Sequence, residues 1–137
     1  METDLIIIGA GPAGLLAALT AARQRKSGGI LVLDRLPNPG AKLAATGGGR
    51  GNLSHAATED EFAAAFGRHG RFTLPAFRSL PPDALRRLFG EIDVPTLADE
   101  TGRIYPRSQS APAVRDACSR PAAAPACALN STTPCRT

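Results

Sequence analysis

The chain of 137 residues has no tryptophan, one tyrosine, one methionine and five phenylalanines, an aromatic content thin for a well-packed core. Cysteine is missing from everything before Cys118, and the three present, Cys118, Cys127 and Cys135, follow no zinc spacing and have no neighbouring histidine. Neither a disulfide framework nor a metal site is therefore expected. The two histidines, His55 and His69, read as solvent-facing and assemble into no Ser-His-Asp or metal constellation. A long basic run is also lacking: the Lys and Arg residues are scattered from Arg23 to Arg136, with no aromatic platform beside them. The net charge of +4 thus reads as solvated surface charge, and no nucleic-acid partner is expected. Residues 5 to 22 are almost wholly apolar, but no Lys or Arg precedes them, Gly and Pro interrupt their first half and Asp4 stands at their mouth. That excludes a signal peptide or membrane anchor and makes the cytoplasm the default location. The length suits one modest domain, so a fragment of a larger protein is expected.

What is present is concentrated in Asp4 to Asp34, which reads as strand, glycine turn, helix and strand. Leu5 to Ile8 form a continuous aliphatic run, as in a parallel strand buried on both faces. Gly9, Gly11 and Gly14 then give G-x-G-x-x-G, in which the glycines serve a tight turn, the backbone's approach to a pyrophosphate, and helix packing on the strand. The helix, from Pro12 or Ala13 to Gln24, would present its N-terminal amides and positive dipole end to a dianion. Ile30 to Leu33 supply the second strand, and Asp34 follows Gly14 by 20 residues, the distance at which an acid accepts hydrogen bonds from ribose hydroxyls. This pattern predicts an adenine-dinucleotide site.

Further on, Pro37 to Gly40 predict a rigid turn, and Lys42 and Leu43 lead into Thr46-Gly47-Gly48-Gly49-Arg50-Gly51-Asn52, a second glycine segment that could lie flat against a ligand. Thr58 and Glu61 have capping-box spacing and open a short helix ending near Gly67. Pro82 and Asp83 open another, with Leu85, Leu88, Phe89 and Ile92 on one face. Val94 to Leu97 and Arg103 to Tyr105 predict a hairpin about Asp99 to Gly102, with Tyr105 as a packing residue. Cys118 to Thr137 has no apolar periodicity and carries Pro121, Pro125 and Pro134, so it reads as disordered.

Three stretches, IIIGAGPAGLLAALTAA, PGAKLAATGGGRGNLSH and GRIYPRSQSA, resemble in order and spacing successive signatures of the BaiN-like bacterial flavoproteins, NAD(P)/FAD-dependent oxidoreductases. The resemblance covers Asp4 to about Ala117. It implies an α/β, Rossmann-like (two-dinucleotide-binding) FAD-binding domain, incomplete, with a small helical segment and a β-hairpin. FAD would lie along Gly9, Ala10, Gly11, Pro12, Ala13 and Gly14, its ribose at Asp34 beside Arg35. The flavin end would lie near Thr46, Gly47, Gly48, Gly49, Arg50 and Asn52, with Lys42 and Arg50 as cations near the pyrophosphate or flavin. NAD(P)H is the implied electron donor, the small-molecule substrate being open. Family members usually carry Glu where this chain has Asp34 and Cys where it has Gly51, so no cysteine redox chemistry is assigned, and the catalytic residues stay unassigned. On this reading residues 1–117 are a partial FAD-binding domain of a truncated oxidoreductase. Residues 118–137 would be a tail that left its ancestral reading frame near Ala117, as a GC-rich gene read out of register would produce. The alternative from another class is a small NAD- or ADP-binding module without redox activity.

Overall fold

Two aliphatic runs pair side by side to start the fold. In the computed structural model, which describes residues 3–24, 29–120 and 127–130, β1 (Thr3–Ile8) and β2 (Gly29–Leu33) are parallel, with Ile6 opposite Leu31 and Ile8 opposite Leu33. Parallel neighbours need a crossover, and α1 (Pro12–Gln24) supplies it. Its Pro12 sits at the first helical position, where a missing N–H costs nothing. Leu15, Ala18 and Leu19 of α1 are buried, as are Ile30 and Val32 of β2.

The chain divides into two compact units. The first comprises residues up to Gly51 together with those from Ser110 onward; the second is Asn52–Gln109. In the first, β1 and β2 are joined by β6 (Cys127–Asn130), parallel to β2, in the order β1-β2-β6. A short α2 (Ala41–Ala44) and α6 (Ala111–Ser119) complete it. Ser110 caps α6 by accepting from the Ala113 amide, and Ala111, Val114, Ala117 and Cys118 form its buried face. Helix α6 thus runs through Ala117 and Cys118, and β6 falls within the stretch read from sequence as disordered. The rest of that stretch, 121–126 and 131–137, lies outside the described residues.

One sequence expectation is corrected: β1 is not buried on both faces. Ile6 is 56 % and Ile8 71 % exposed, whereas Leu5 and Ile7 are half-buried. Helix α1 packs on the side of Ile7, whose methyl lies 3.5 Å from the point a side chain at Gly14 would occupy. Among the described residues nothing comparable lies over the other face.

In the second unit the expected hairpin is present. Strands β4 (Thr96–Ala98) and β5 (Arg103–Pro106) are antiparallel, with Leu97 opposite Tyr105, and β3 (Ser54–His55) adds a third strand on the far side of β5. Ile104 and Tyr105 are buried, the latter in the packing role expected of it. The capping box forms as spaced: Thr58 accepts from the Glu61 amide while the Glu61 carboxylate accepts from the Thr58 amide at 2.8 Å, opening α3 (Glu59–Ala65). Helix α5 (Pro82–Gly90) buries Phe89. Helix α4 (Gly70–Ser79), which the sequence did not announce, pairs with α3 through the Phe62 and Phe77 rings, 4.7 Å apart.

Gly70 makes that pairing close, since a side chain there would stand 2.1 Å from the Ala63 carbonyl oxygen. Gly→Ala in a helix ordinarily gains up to about 1 kcal/mol. At Gly70 the sign reverses: Gly70→Ala is expected to destabilise by about 1–3 kcal/mol in urea unfolding, the scale of overpacking. Gly90→Ala, whose added carbon meets nothing within 4 Å, is expected to be neutral or stabilising.

Candidate functional site

At the C-terminal end of β1 the chain turns at Gly9, which adopts φ of +100°, a left-handed value that disfavours any side chain. The Gly9 amide donates to the Leu33 carbonyl at 2.7 Å, so the β1–β2 pairing carries on into the turn. Ala10 follows, fully buried. Its amide donates to Asp34 Oδ2 at 2.6 Å, and its carbonyl accepts from the Gly40 amide at 2.7 Å. Asp34 stands just past β2 with its other oxygen, Oδ1, accepting from the Leu36 amide at 2.8 Å. The Leu36 amide first, and the Ala10 amide next, hold its carboxyl below the ordinary value of 3.8. Asp34 is therefore an ionised group at the mouth of the turn. It is also a clamp on that turn, which the sequence did not reveal.

The three glycines of the motif differ in what requires them. Gly14 is demanded by packing, because a side chain would fall 1.8 Å from the Gly9 carbonyl oxygen. Gly9 is demanded by its backbone angle. Gly11 has neither constraint: its φ is ordinary, and an added carbon would meet no atom within 4 Å. Pro12 and Ala13 beside it are exposed, and the first turn of α1 contains no acidic residue to satisfy its positive end. An anion placed there would gain from both the dipole and the free approach over Gly11.

The second glycine segment belongs to the same unit. Thr46 donates its hydroxyl to the Leu43 carbonyl at 2.8 Å, ending α2. Gly47 and Gly48 both lie in the left-handed region (φ 58° and 65°), Gly49 has φ of 88° and Gly51 of 82°. Side chains at Gly48 and Gly49 would meet nothing, so these glycines serve the backbone path. The Gly51 amide closes the loop on the Thr46 carbonyl at 3.0 Å, and Arg50 Nε lies 3.4 Å from the Gly47 carbonyl oxygen. Gly51 is buried, and a side chain there would stand 3.1 Å from the Ala111 α-carbon. The position at which the resembled flavoproteins usually carry Cys is thus shaped here for glycine. Lys42 and Arg35 are exposed; Asn52 is exposed at the start of the second unit.

The structure brings together Gly9 to Gly14, Asp34 and, unforeseen, Leu36 and Gly40 through their amides. Only the Pro-Asn-Pro-Gly turn signal pointed toward the latter two. Elsewhere, His55 and His69 are exposed, the former with Nε2 2.7 Å from the Thr101 carbonyl oxygen. Cys118 is buried, and burial pushes its thiol up to about 11, leaving it protonated at neutral pH. Among the described residues no group of three His, Cys, Asp or Glu could hold a metal ion, and no helix is long and apolar enough to cross a membrane.

Charge divides unevenly between the units. The first carries nine Lys and Arg against four Asp and Glu, a net of +5, and the second seven against eight, a net of −1. The unit that holds the glycine turn is the one suited to a polyanion.

Comparison with known proteins agrees with this architecture. The chain is 32% identical over 108 residues to a 3-dehydro-bile acid delta(4,6)-reductase of Clostridium scindens, covering 79% of this chain and 26% of that protein. It is 44% identical over 48 residues to a 3-oxosteroid 1-dehydrogenase of Mycolicibacterium smegmatis, covering 35% of this chain and 8% of the relative. The chain therefore spans about a quarter or less of the length of these curated relatives. The crystal structure of Thermovibrio ammonificans THI4 superposes with a TM-score of 0.59 at 17% identity, over 94% of this chain and 37% of that one, a likeness of fold. The HI0933-like protein Rossmann domain matches residues 3–136, and with β1, α1, β2 and their glycine turn arranged as described, the chain belongs to that family.

Proposed function

We propose that the first unit binds FAD and that the chain is the FAD-binding portion of a flavin-dependent oxidoreductase that works in the cytoplasm with NAD(P)H as electron donor. One observation carries the reading: Gly11 is a glycine that the fold does not need. Its backbone angle is ordinary and the space over it is open, so a side chain would obstruct only something from outside the chain. A pyrophosphate approaching the N-terminus of α1 is such an object. Asp34 would accept from the ribose hydroxyls with the lone pairs left over from the Leu36 and Ala10 amides. Thr46 to Arg50 would run along the flavin end, where a backbone with few side chains allows close approach, and the exposed Lys42 and Arg35 would add positive potential.

Bound flavin would supply two-electron redox chemistry, and the protein would contribute orientation and fixed hydrogen bonds. The activities of the two relatives, a 3-dehydro-bile acid reductase and a 3-oxosteroid dehydrogenase, favour an apolar polycyclic substrate for the whole enzyme. Residues 1–117 would furnish part of the FAD-binding domain of that enzyme.

The test is reconstitution with FAD followed by desalting. Retained yellow absorbance is expected; retention of ADP or NAD without flavin would instead establish a nucleotide module and sink the flavin reading. Gly11→Val is expected to abolish FAD retention while the far-UV circular dichroism stays that of the parent, because the valine projects into open space. Asp34→Ala is expected to weaken binding by about 1–3 kcal/mol, the scale of charge-assisted hydrogen bonds; parental affinity would place the ribose elsewhere.

The pH dependence follows from the sign of the Asp34 shift. Its folded-state value is depressed, so its contribution is present above the ordinary value of 3.8 and is lost as pH falls through the lower folded value. FAD retention is expected to show no step from Asp34 between pH 7 and pH 5 and to fall only in more acid solution, a step absent in Asp34→Ala. Equilibrium dialysis across that range checks it.

A further inference from the structure

Ala10 contributes to two peptide planes, and each is held from a different side. Its amide belongs to the Gly9–Ala10 plane and is tied to Asp34. Its carbonyl shares a plane with the Gly11 amide and is tied to Gly40. A trans peptide is rigid, so fixing the direction of the Ala10 carbonyl fixes that of the Gly11 N–H as well. Whatever seats Gly40 therefore aims the amide over which the pyrophosphate is proposed to lie.

Gly40 is buried, with φ of 67° and ψ of 22°, and an added carbon there would lie 2.6 Å from Arg115 Cγ, 3.3 Å from Arg115 Cδ and 3.2 Å from Leu15 Cδ1. The methylene stem of Arg115 thus fills the space into which a side chain at Gly40 would project. Its guanidinium is turned to the neighbouring Asp116, with Nε 2.8 Å and the nearer terminal nitrogen 2.6 Å from Oδ1. Helix α6 is itself anchored on both sides of Arg115 by Val114 and Ala117, both buried.

We propose that Arg115 and Gly40 form a positioning pair. The Arg115 stem, carried on α6, presses Gly40 into place, and the Gly40 amide then orients the Ala10–Gly11 peptide toward the dinucleotide. The proposal rests on the reading of the glycine turn as the FAD pyrophosphate site. The contact is made by the stem, so it predicts that length and apolar character at position 115 matter and charge does not.

The ligand-free protein gives the first test, amide hydrogen exchange at residue 40. Arg115→Ala is expected to speed that exchange by about tenfold, a scale set by loosening one hydrogen bond, while Arg115→Met, which keeps Cγ and Cδ, leaves it parental. FAD titration gives the second. Gly40→Ala is expected to weaken affinity by about tenfold through left-handed strain plus overlap with the stem. Adding Arg115→Ala to it removes the overlap and is expected to recover about threefold, the strain remaining. Unchanged exchange in Arg115→Ala, or Arg115→Met as damaging as Arg115→Ala, would overturn the pair. If the parent retains no FAD, the functional reading fails, and the exchange measurements still decide between seat and no seat.

Discussion

The hydrogen bond from the Ala10 amide to Asp34 is the constraint on which the candidate site depends. It joins the end of β2 to the turn that follows β1, and it exists because the parallel register places Ile8 opposite Leu33, two residues before Ala10 and one before Asp34. A shift of one residue would reverse every side chain along the strand and carry Asp34 to the other face. The aliphatic composition of the two strands therefore does more than build a core. Burying Ile30 and Val32 beneath α1 fixes the register, the register delivers the carboxylate, and the carboxylate holds the turn. Packing and site are here one chain of cause.

The two units differ in what organises them. In the first, backbone geometry around glycines dominates, and the charge is strongly positive. The second is built from local devices: a capping box, a proline-initiated helix and an Asp99 turn in which one carboxylate oxygen accepts from the Thr101 and Arg103 amides. Its seven basic and eight acidic residues nearly cancel, and some of them pair, as Arg78 does with Glu59. Such exposed pairs add little stability. What they do is leave the second unit nearly neutral, so the field available to attract a polyanion belongs to the first.

Local signals were legible wherever they were strong and short-range. Helix α1, the Thr58–Glu61 box and the antiparallel β4 and β5 rest on contacts between residues close in sequence, and β1 with its turn announces itself by an unbroken aliphatic run and the spacing of Gly9, Gly11 and Gly14. Helix α4 was not legible because Pro75 lies inside it, and proline ordinarily argues against a helix interior; here the Phe62–Phe77 contact and the fit of Gly70 against Ala63 favour the helix despite it. Helix α6 was not legible for a different reason. Its start signal, Ser110 followed by Pro112, is a good one, but the apolar face of Ala111, Val114, Ala117 and Cys118 is made of small residues that resemble the alanine-rich stretch after it. The exposure of Ile6 and Ile8 was invisible for a third reason. Hydropathy reports which residues can be buried, and only the layers around a sheet decide which are.

Spacing alone treats the glycines of G-x-G-x-x-G as equivalent, and the structure separates them. Gly14 answers to the Gly9 carbonyl oxygen, which would stand 1.8 Å from an added β-carbon, and Gly9 to its own dihedral angle; both would be required in a protein that bound nothing. The same holds for Gly40 and Gly51, where left-handed backbone and close neighbours coincide. A motif match could therefore arise from packing at nearly all of its positions. Gly11 is different because neither space nor angle explains it, and that residual freedom is what links the motif to a ligand. At Gly9 and Gly14 the fold is already a sufficient reason for glycine, so within the motif Gly11 alone needs a ligand to explain it.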